Sequence, residues 1–323
     1  MAGPLFISNS DMKASTRKLI ISTVIVCLSI LIIDVLVGII GDSAVKRMPS
    51  FSGQIAKDNY RLNRVATDIV ILGSSRGNHH YVTTMLKDSI NSYTCHQYTL
   101  YNAAIAGRPV SSNACAAESI MDRYAPKFII FELTEGELYG SHSAKDLEFS
   151  SLNYRINPIV KRYVDDLGWK ERVKFSSNMF RYNRKIFRIV SSYLKKGEET
   201  GYDPLYKKMT VLPSKEETEK QSEKVIDDYS LRNFTRVLQT AKEKGIPLVV
   251  VTSPRFAPTG NNAFLSNLCK EYSTPYIELY NLDLFNSHPE YFQDAGHLND
   301  DGAHVYTEVF FEALKPYLTP LMQ

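Results

Sequence analysis

Asp68-Ile-Val-Ile-Leu-Gly73-Ser74-Ser75-Arg76 is the stretch that decides the architecture. An unbroken apolar run that stops on small turn residues reads as a strand buried on both faces, as in parallel sheets covered by helices. Working outward, four further runs have the same character, at residues 97–102, 128–133, 247–252 and 276–279. Helical stretches separate them. Residues 112–124 lie between the second and third runs. Residues 230–244 carry Leu231, Phe234, Val237 and Leu238 at helical spacing, with Gly245 and Pro247 as the stop. A last helix starts at Asn299 or Asp300, both good N-caps, and puts Tyr306, Val309, Phe310, Ala313 and Leu314 on one face. The alternation predicts an α/β fold, a doubly wound three-layer α/β/α sandwich on a mostly parallel five-stranded sheet.

The chain of 323 residues allows one large domain or two small ones, and 44% hydrophobic content supports a core. A net charge of +3, from 38 basic and 35 acidic residues, argues against nucleic acid as the main partner. Residues 19–40, LIISTVIVCLSILIIDVLVGII, are long enough to cross a bilayer. Lys13, Arg17 and Lys18 precede them and Lys46 and Arg47 follow, which favours a cytoplasmic N-terminus. A cleaved signal peptide is the rival. The run exceeds a usual signal core and no small-x-small site follows, so a retained anchor is the reading. The expected division is a cytoplasmic segment 1–18, a transmembrane anchor 19–40, a tether 41–66 with one short helix, and an extracytoplasmic domain 67–323. Asp34, inside the apolar run, faces a partner in the membrane, sits near the outer interface, or is protonated.

Residues 139–229 interrupt the β-α pattern and read as a mostly helical insertion with a loop at 197–213. Arg181, Arg184, Lys185, Arg188, Lys195 and Lys196 surround Phe180, Tyr182 and Phe187 there. That is a solvated amphipathic face, or else a lid or a docking surface for an anionic polymer, lipid headgroups or a partner. Cys27, Cys95, Cys115 and Cys269 form no metal or CxxC spacing. Cys95 and Cys115 flank a predicted strand, leaving a disulfide or free thiols open.

Ser75 follows the first strand, where open α/β sheets bind ligands. A serine hydroxyl is a poor nucleophile until an imidazole takes its proton. Asp294-Ala-Gly-His297-Leu-Asn299, just before the last helix, supplies a base in His297 and a carboxylate in Asp294 to orient it. Arg76, beside Ser75, suits a substrate carboxylate or phosphate, or pairs with Glu132 or Glu135. His79 and His80 read as exposed helix positions. Arg255, ending the fourth strand, lines the site or is a loop residue.

These blocks resemble the SGNH (GDSL-like) hydrolase superfamily from about Thr67 to the C-terminus, apart from the insertion. Gly73-Ser74-Ser75 matches the Gly-Asp-Ser block with serine replacing aspartate, Asn102-Ala-Ala-Ile-Ala-Gly107 the second block, and Asp294 to Ala303 the last. The resemblance implies Ser75 as nucleophile, His297 as base, Asp294 as orienter, and the N–H groups of Ser75 and Gly107 as oxyanion donors. The third block departs from the family. Gly136 falls about where the oxyanion-hole asparagine belongs, which leaves Arg76, Asn78 and Asn113 as candidates for the missing donor. Losing one such donor costs roughly 2.7–4 kcal/mol of transition-state stabilisation.

The Gly-Ser-Ser variant, the anchor and the altered third block are most similar to the membrane-tethered proteins of cell-envelope acylation, among them the teichoic acid D-alanyl transfer protein and the alginate acetylation proteins. That similarity implies an acyl-enzyme whose acyl group passes to an extracytoplasmic polysaccharide or envelope glycan, beside a multi-spanning membrane O-acyltransferase. It implies no metal and no dissociable cofactor. The alternatives are an esterase acting on a glycan or lipid, and a non-catalytic assembly protein of the same fold.

Overall fold

The computed structural model describes residues 9–49, 53–140, 147, 150–194, 200–210, 225–258 and 260–322. Lys195, Lys196 and both ends of the expected 197–213 loop lie outside the described residues. The chain opens with α1 (Asn9–Arg47) and α2 (Gln54–Asn63), then β1 (Ile69–Leu72), α3 (Ser75–His80), α4 (Thr83–Thr94), β2 (Leu100–Asn102), α5 (Val110–Arg123) and β3 (Phe128–Glu132). The insertion contributes α6 (Pro158–Asp165), α7 (Trp169–Ser176), α8 (Asn178–Tyr182) and α9 (Ile186–Leu194). The α/β pattern resumes with α10 (Asp228–Glu243), β4 (Leu248–Thr252), α11 (Ala263–Glu271), β5 (Tyr276–Glu278) and α12 (Asp283–Asn286). A hairpin of β6 (Phe292–Asp294) and β7 (His297–Leu298) leads into α13 (Asp300–Leu314).

All five core strands are parallel, in the order β2-β1-β3-β4-β5. This is the flavodoxin-like doubly wound order, whose reversal point lies between β1 and β3. Alternate residues of each strand feed two separate cores. Val70, Leu72, Ile129, Phe131 and Val250 pack with α5 and α10 on one face. Ile69, Ile71, Ile130, Val249 and Val251 pack with α4 and α13 on the other. Burial on both faces explains why these strands read as continuous apolar runs. Asn299 caps α13 as expected, its Oδ1 accepting from Gly302 N at 3.0 Å.

Two expectations need correction. The expected tether, residues 41–66, is built into the fold. α1 continues to Arg47, and α2 is pinned to α5 by the buried Arg61. That guanidinium donates to Asp58 Oδ1 (2.8 Å), Asn113 Oδ1 (2.9 Å) and Ser112 Oγ (2.9 Å). A polar segment reads as a linker because its polar groups bind one another and α5 rather than water. The possible disulfide does not form. Cys95 is exposed beyond α4, Cys115 is buried in α5, and both are free thiols.

Candidate active site

The sheet's reversal point positions Ser75. β1 gives way to Gly73, where a Cβ would lie 2.8 Å from Glu132 Cβ and 2.9 Å from Glu132 O on β3. Only glycine lets the chain leave the sheet so close to its neighbour. α3 then begins at Ser75 and is wedged in place. Asn102 Nδ2 donates to Gly77 O (2.7 Å), Ile105 N donates to Gly73 O (3.1 Å), and Gly77 sits against Ala104, leaving 2.8 Å for a Cβ.

The β6–β7 hairpin brings up the other half. Asp294 and His297 are register partners across it. Asp294 Oδ1 and Oδ2 lie 2.9 and 3.0 Å from His297 Nδ1, which therefore carries the proton. His297 Nε2 is then the acceptor, 2.7 Å from Ser75 Oγ across 222 residues of sequence. The hydroxyl, imidazole and carboxylate thus form one hydrogen-bonded chain with the geometry of a nucleophile, base and orienter. Side-chain exposure is 30% at His297 and 55% at Asp294, so water reaches the outer end of the chain.

Beneath this chain lies a buried relay absent from the sequence reading. Leu298 N donates to His80 Nε2 (3.0 Å), so His80 carries its proton on Nδ1 and donates to Ser253 Oγ (2.9 Å). Ser253 Oγ donates in turn to Glu132 Oε1 (2.8 Å), and Tyr81 OH donates to Glu132 Oε2. Burial holds His80 well below the usual imidazole range and raises Glu132 above the usual carboxylate range. His80 is therefore a neutral imidazole that fixes the residue next to His297. Both histidines on the helix that Ser75 opens, His79 and His80, are buried, contrary to the expectation of exposed helix positions. A visible clue was Glu132, a charged residue closing a strand buried on both faces.

The segment 200–210 ties the two halves together. Asn102 N donates to Thr200 O (3.0 Å), and Asp203 N to Asn78 O (3.1 Å). His79 Nδ1 donates to Asp203 O (2.5 Å). On the hairpin side, Met209 N donates to Phe292 O (2.7 Å), and Tyr202 OH to Asp300 Oδ1 (2.7 Å). Lys57 Nζ donates to Asn78 Oδ1 and Gly201 O, each at 2.6 Å, and burial pushes its ammonium down to about 7. Lys57 and Asp203 carry no sequence motif, because only the folded insertion brings them together.

The remaining expected residues separate. Arg76 lies on the same turn as Ser75, and its Nη2 donates to Thr134 Oγ1 (2.5 Å) and lies 3.6 Å from Glu137 Oε2. Glu132 and Glu135, expected as its partners, bind elsewhere: Glu132 in the relay, Glu135 to Tyr139 OH (2.5 Å) and Phe264 N (2.9 Å). Arg255 stands at the rim, where the adjacent Phe256 N donates to Ala295 O (3.0 Å) in the hairpin turn. Gly107 occupies a turn after β2, at φ +74°. Asn78 is buried and committed to Lys57 and to Asp203 Oδ2 (3.2 Å). Asn113 is removed from the site, buried on α5 between Arg61 and Arg108 O. Neither asparagine is a free oxyanion donor.

No protein-family model matches the chain, and no curated protein matches it. A solved structure similar over 85% of this chain and 93% of its own is that of a "putative acylhydrolase" from Bacteroides fragilis NCTC 9343, at 10% identity and a TM-score of 0.33. So loose a likeness carries no functional weight, and the chemistry rests on the geometry above.

Proposed function

We propose that the protein is a serine acyltransferase of SGNH type, anchored through residues 19–40, that forms an acyl-enzyme on Ser75. The observation that carries this reading is the 2.7 Å contact between Ser75 Oγ and His297 Nε2, with Asp294 on the other ring nitrogen. In the first step Ser75 Oγ attacks the acyl carbonyl carbon while His297 Nε2 takes the hydroxyl proton. Asp294 stabilises the resulting imidazolium. Collapse of the tetrahedral intermediate expels the leaving group, which takes the proton from His297. In the second step an acceptor hydroxyl loses its proton to His297 and attacks the ester carbonyl carbon, and as that intermediate collapses His297 returns the proton to Ser75 Oγ, freeing Ser75. The N–H groups of Ser75 and Gly107 are assigned to the oxyanion. Arg76 is assigned as the third donor, because its guanidinium reaches the loop where the family's third block would lie.

The acceptor in this reading is a hydroxyl of an extracytoplasmic polysaccharide or envelope glycan, the acyl group is acetyl, and the protein works beside a multi-spanning membrane O-acyltransferase. One observation favours hydrolysis as a second reading. The exposure of His297 and Asp294 admits water, whereas a transferase must protect its acyl-enzyme. The test is to acylate the protein with an activated acetyl ester and follow its decay with and without envelope glycan. Acetylated glycan formed at the expense of free acetate supports transfer. Acetate release that is indifferent to glycan supports the esterase. No acetylation of folded protein removes both.

A further inference from the structure

We infer that α8 and α9 of the insertion form a membrane-seating surface that enters the outer lipid leaflet beside α1. The inference rests on the anchor reading and extends it to a second element. α1 is long and apolar enough to cross a bilayer, and Lys13, Arg17 and Lys18 fix the near end of its apolar run at Leu19. A span needs about 20 residues. Counted from Leu19, that length runs past Asp34 to the neighbourhood of Gly38 and Gly41. Those are the positions that the insertion covers.

Asp34 accepts from Ser177 Oγ (2.8 Å), Asn178 Nδ2 (3.0 Å) and Met179 N (2.8 Å), the last two on α8. A Cβ on Gly38 would meet the Asn178 side chain at 2.5 Å, and one on Gly41 would overlap the Tyr182 ring. α8 therefore lies against the outer part of the segment that hydrocarbon thickness demands. The contact also answers the cost of a carboxylate at that depth, since each Asp34 oxygen has a partner.

The outward side of these helices matches such a position. Met179 and Phe180 are exposed on α8, as are Ile186 and Val190 on α9, and Phe187 and Leu194 are 81% and 82% exposed. Such a patch, continuous with an apolar helix, marks a lipid contact rather than a solvated face. Exposed Arg184 and Arg188 on the same segment suit anionic headgroups. The opposite side of α9 is spoken for, with Ile189 packed on Val45 and Met48 and Tyr193 OH donating to Ala44 O (2.5 Å).

The experiment uses the full-length chain reconstituted in pure lipid vesicles. Trp169 is the chain's only tryptophan, so Trp169→Phe clears the background and Phe187→Trp supplies the reporter. The exposure of residue 187 leaves the fold untouched by the change. The expected result is a blue-shifted emission, lost in vesicles of brominated phospholipid and insensitive to aqueous acrylamide. An emission quenched by acrylamide and not by bromolipid, in protein that alkaline carbonate leaves in the vesicles, overturns the inference with the anchor intact. Shielding from both quenchers also overturns it, in favour of a second copy of this chain on that face. Extraction of the chain by carbonate overturns the anchor itself, and this inference with it.

Discussion

At the scale of single residues, the account depends on one proton path with unequal ends. His297 contacts Ser75 Oγ directly, whereas Asp294 reaches it only through the imidazole and is more than half exposed. Solvent screens an exposed pair, so the two positions differ in weight. Replacing His297 with Gln is expected to slow acyl-enzyme formation by about 10⁴-fold, and Asp294→Asn by about 10²-fold. Rapid-quench measurement of the acylation burst reads both. Equal losses would show that Asp294 matters more than its exposure implies. Arg76→Gln is expected to cost about 10- to 100-fold in the same assay, less than a full oxyanion donor because the guanidinium also serves Thr134 and Glu137. His80 gives a pH signature. The unfolded chain takes up a proton on this residue near pH 6.5. The folded chain does so only well below that value, because burial opposes the charge. Stability therefore declines as pH falls below about 6.5, and the decline ends at the folded pKa. Urea unfolding of His80→Ala is expected to show a lower plateau near neutrality and a shallower acid decline. An unchanged decline would mean that His80 does not titrate in this way.

Among the elements, α3 and the β6–β7 hairpin matter most, since Ser75, the proposed nucleophile, sits on one and His297, the proposed base, on the other. Gly77 faces Ala104 with 2.8 Å for a Cβ, and Ala104 belongs to the segment that Asn102 braces. Gly77→Ala is expected to cost about 1–3 kcal/mol of stability and to move Ser75 relative to His297, so acylation falls more than substrate affinity. A kcat loss with unchanged KM checks it; a KM change alone contradicts it. Four of the five strand-like runs were legible because burial on both faces leaves a period-independent apolar signature; the fifth, at the sheet edge, is buried only at Ile277, and the bounds of all five differ by only a few residues from those observed. The hairpin was legible only as a DxxH loop, since its two strands are too short to carry a pattern. The relay through His80, Ser253 and Glu132 was not legible. Its members come from three separate elements, and no local spacing announces them.

For the whole molecule, the insertion does two jobs that sequence pattern could not separate. One arm, residues 200–210, bridges the nucleophile helix and the histidine hairpin. The other, α8 and α9, grips the C-terminal part of α1 through Asp34, Gly41 and Asp42, the last of which lies 2.9 Å from Arg181 Nη2. Gly41→Leu is expected to break that grip at a cost of about 1–3 kcal/mol. Limited proteolysis would then cut the insertion faster while Ser75 chemistry persists; unchanged protection would show that the helix and the insertion are not coupled. The apolar run itself was plain from composition. Its grip on the insertion was not, because an aspartate within such a run looks the same whether it meets lipid, water or protein. The most direct test of the central claim is intact-mass and peptide mapping of the full-length protein after treatment with a fluorophosphonate. The account predicts a single adduct on Ser75, absent in Ser75→Ala and strongly slowed in His297→Gln. Folded protein that acquires no adduct at Ser75, or acquires it at an undiminished rate without His297, contradicts it.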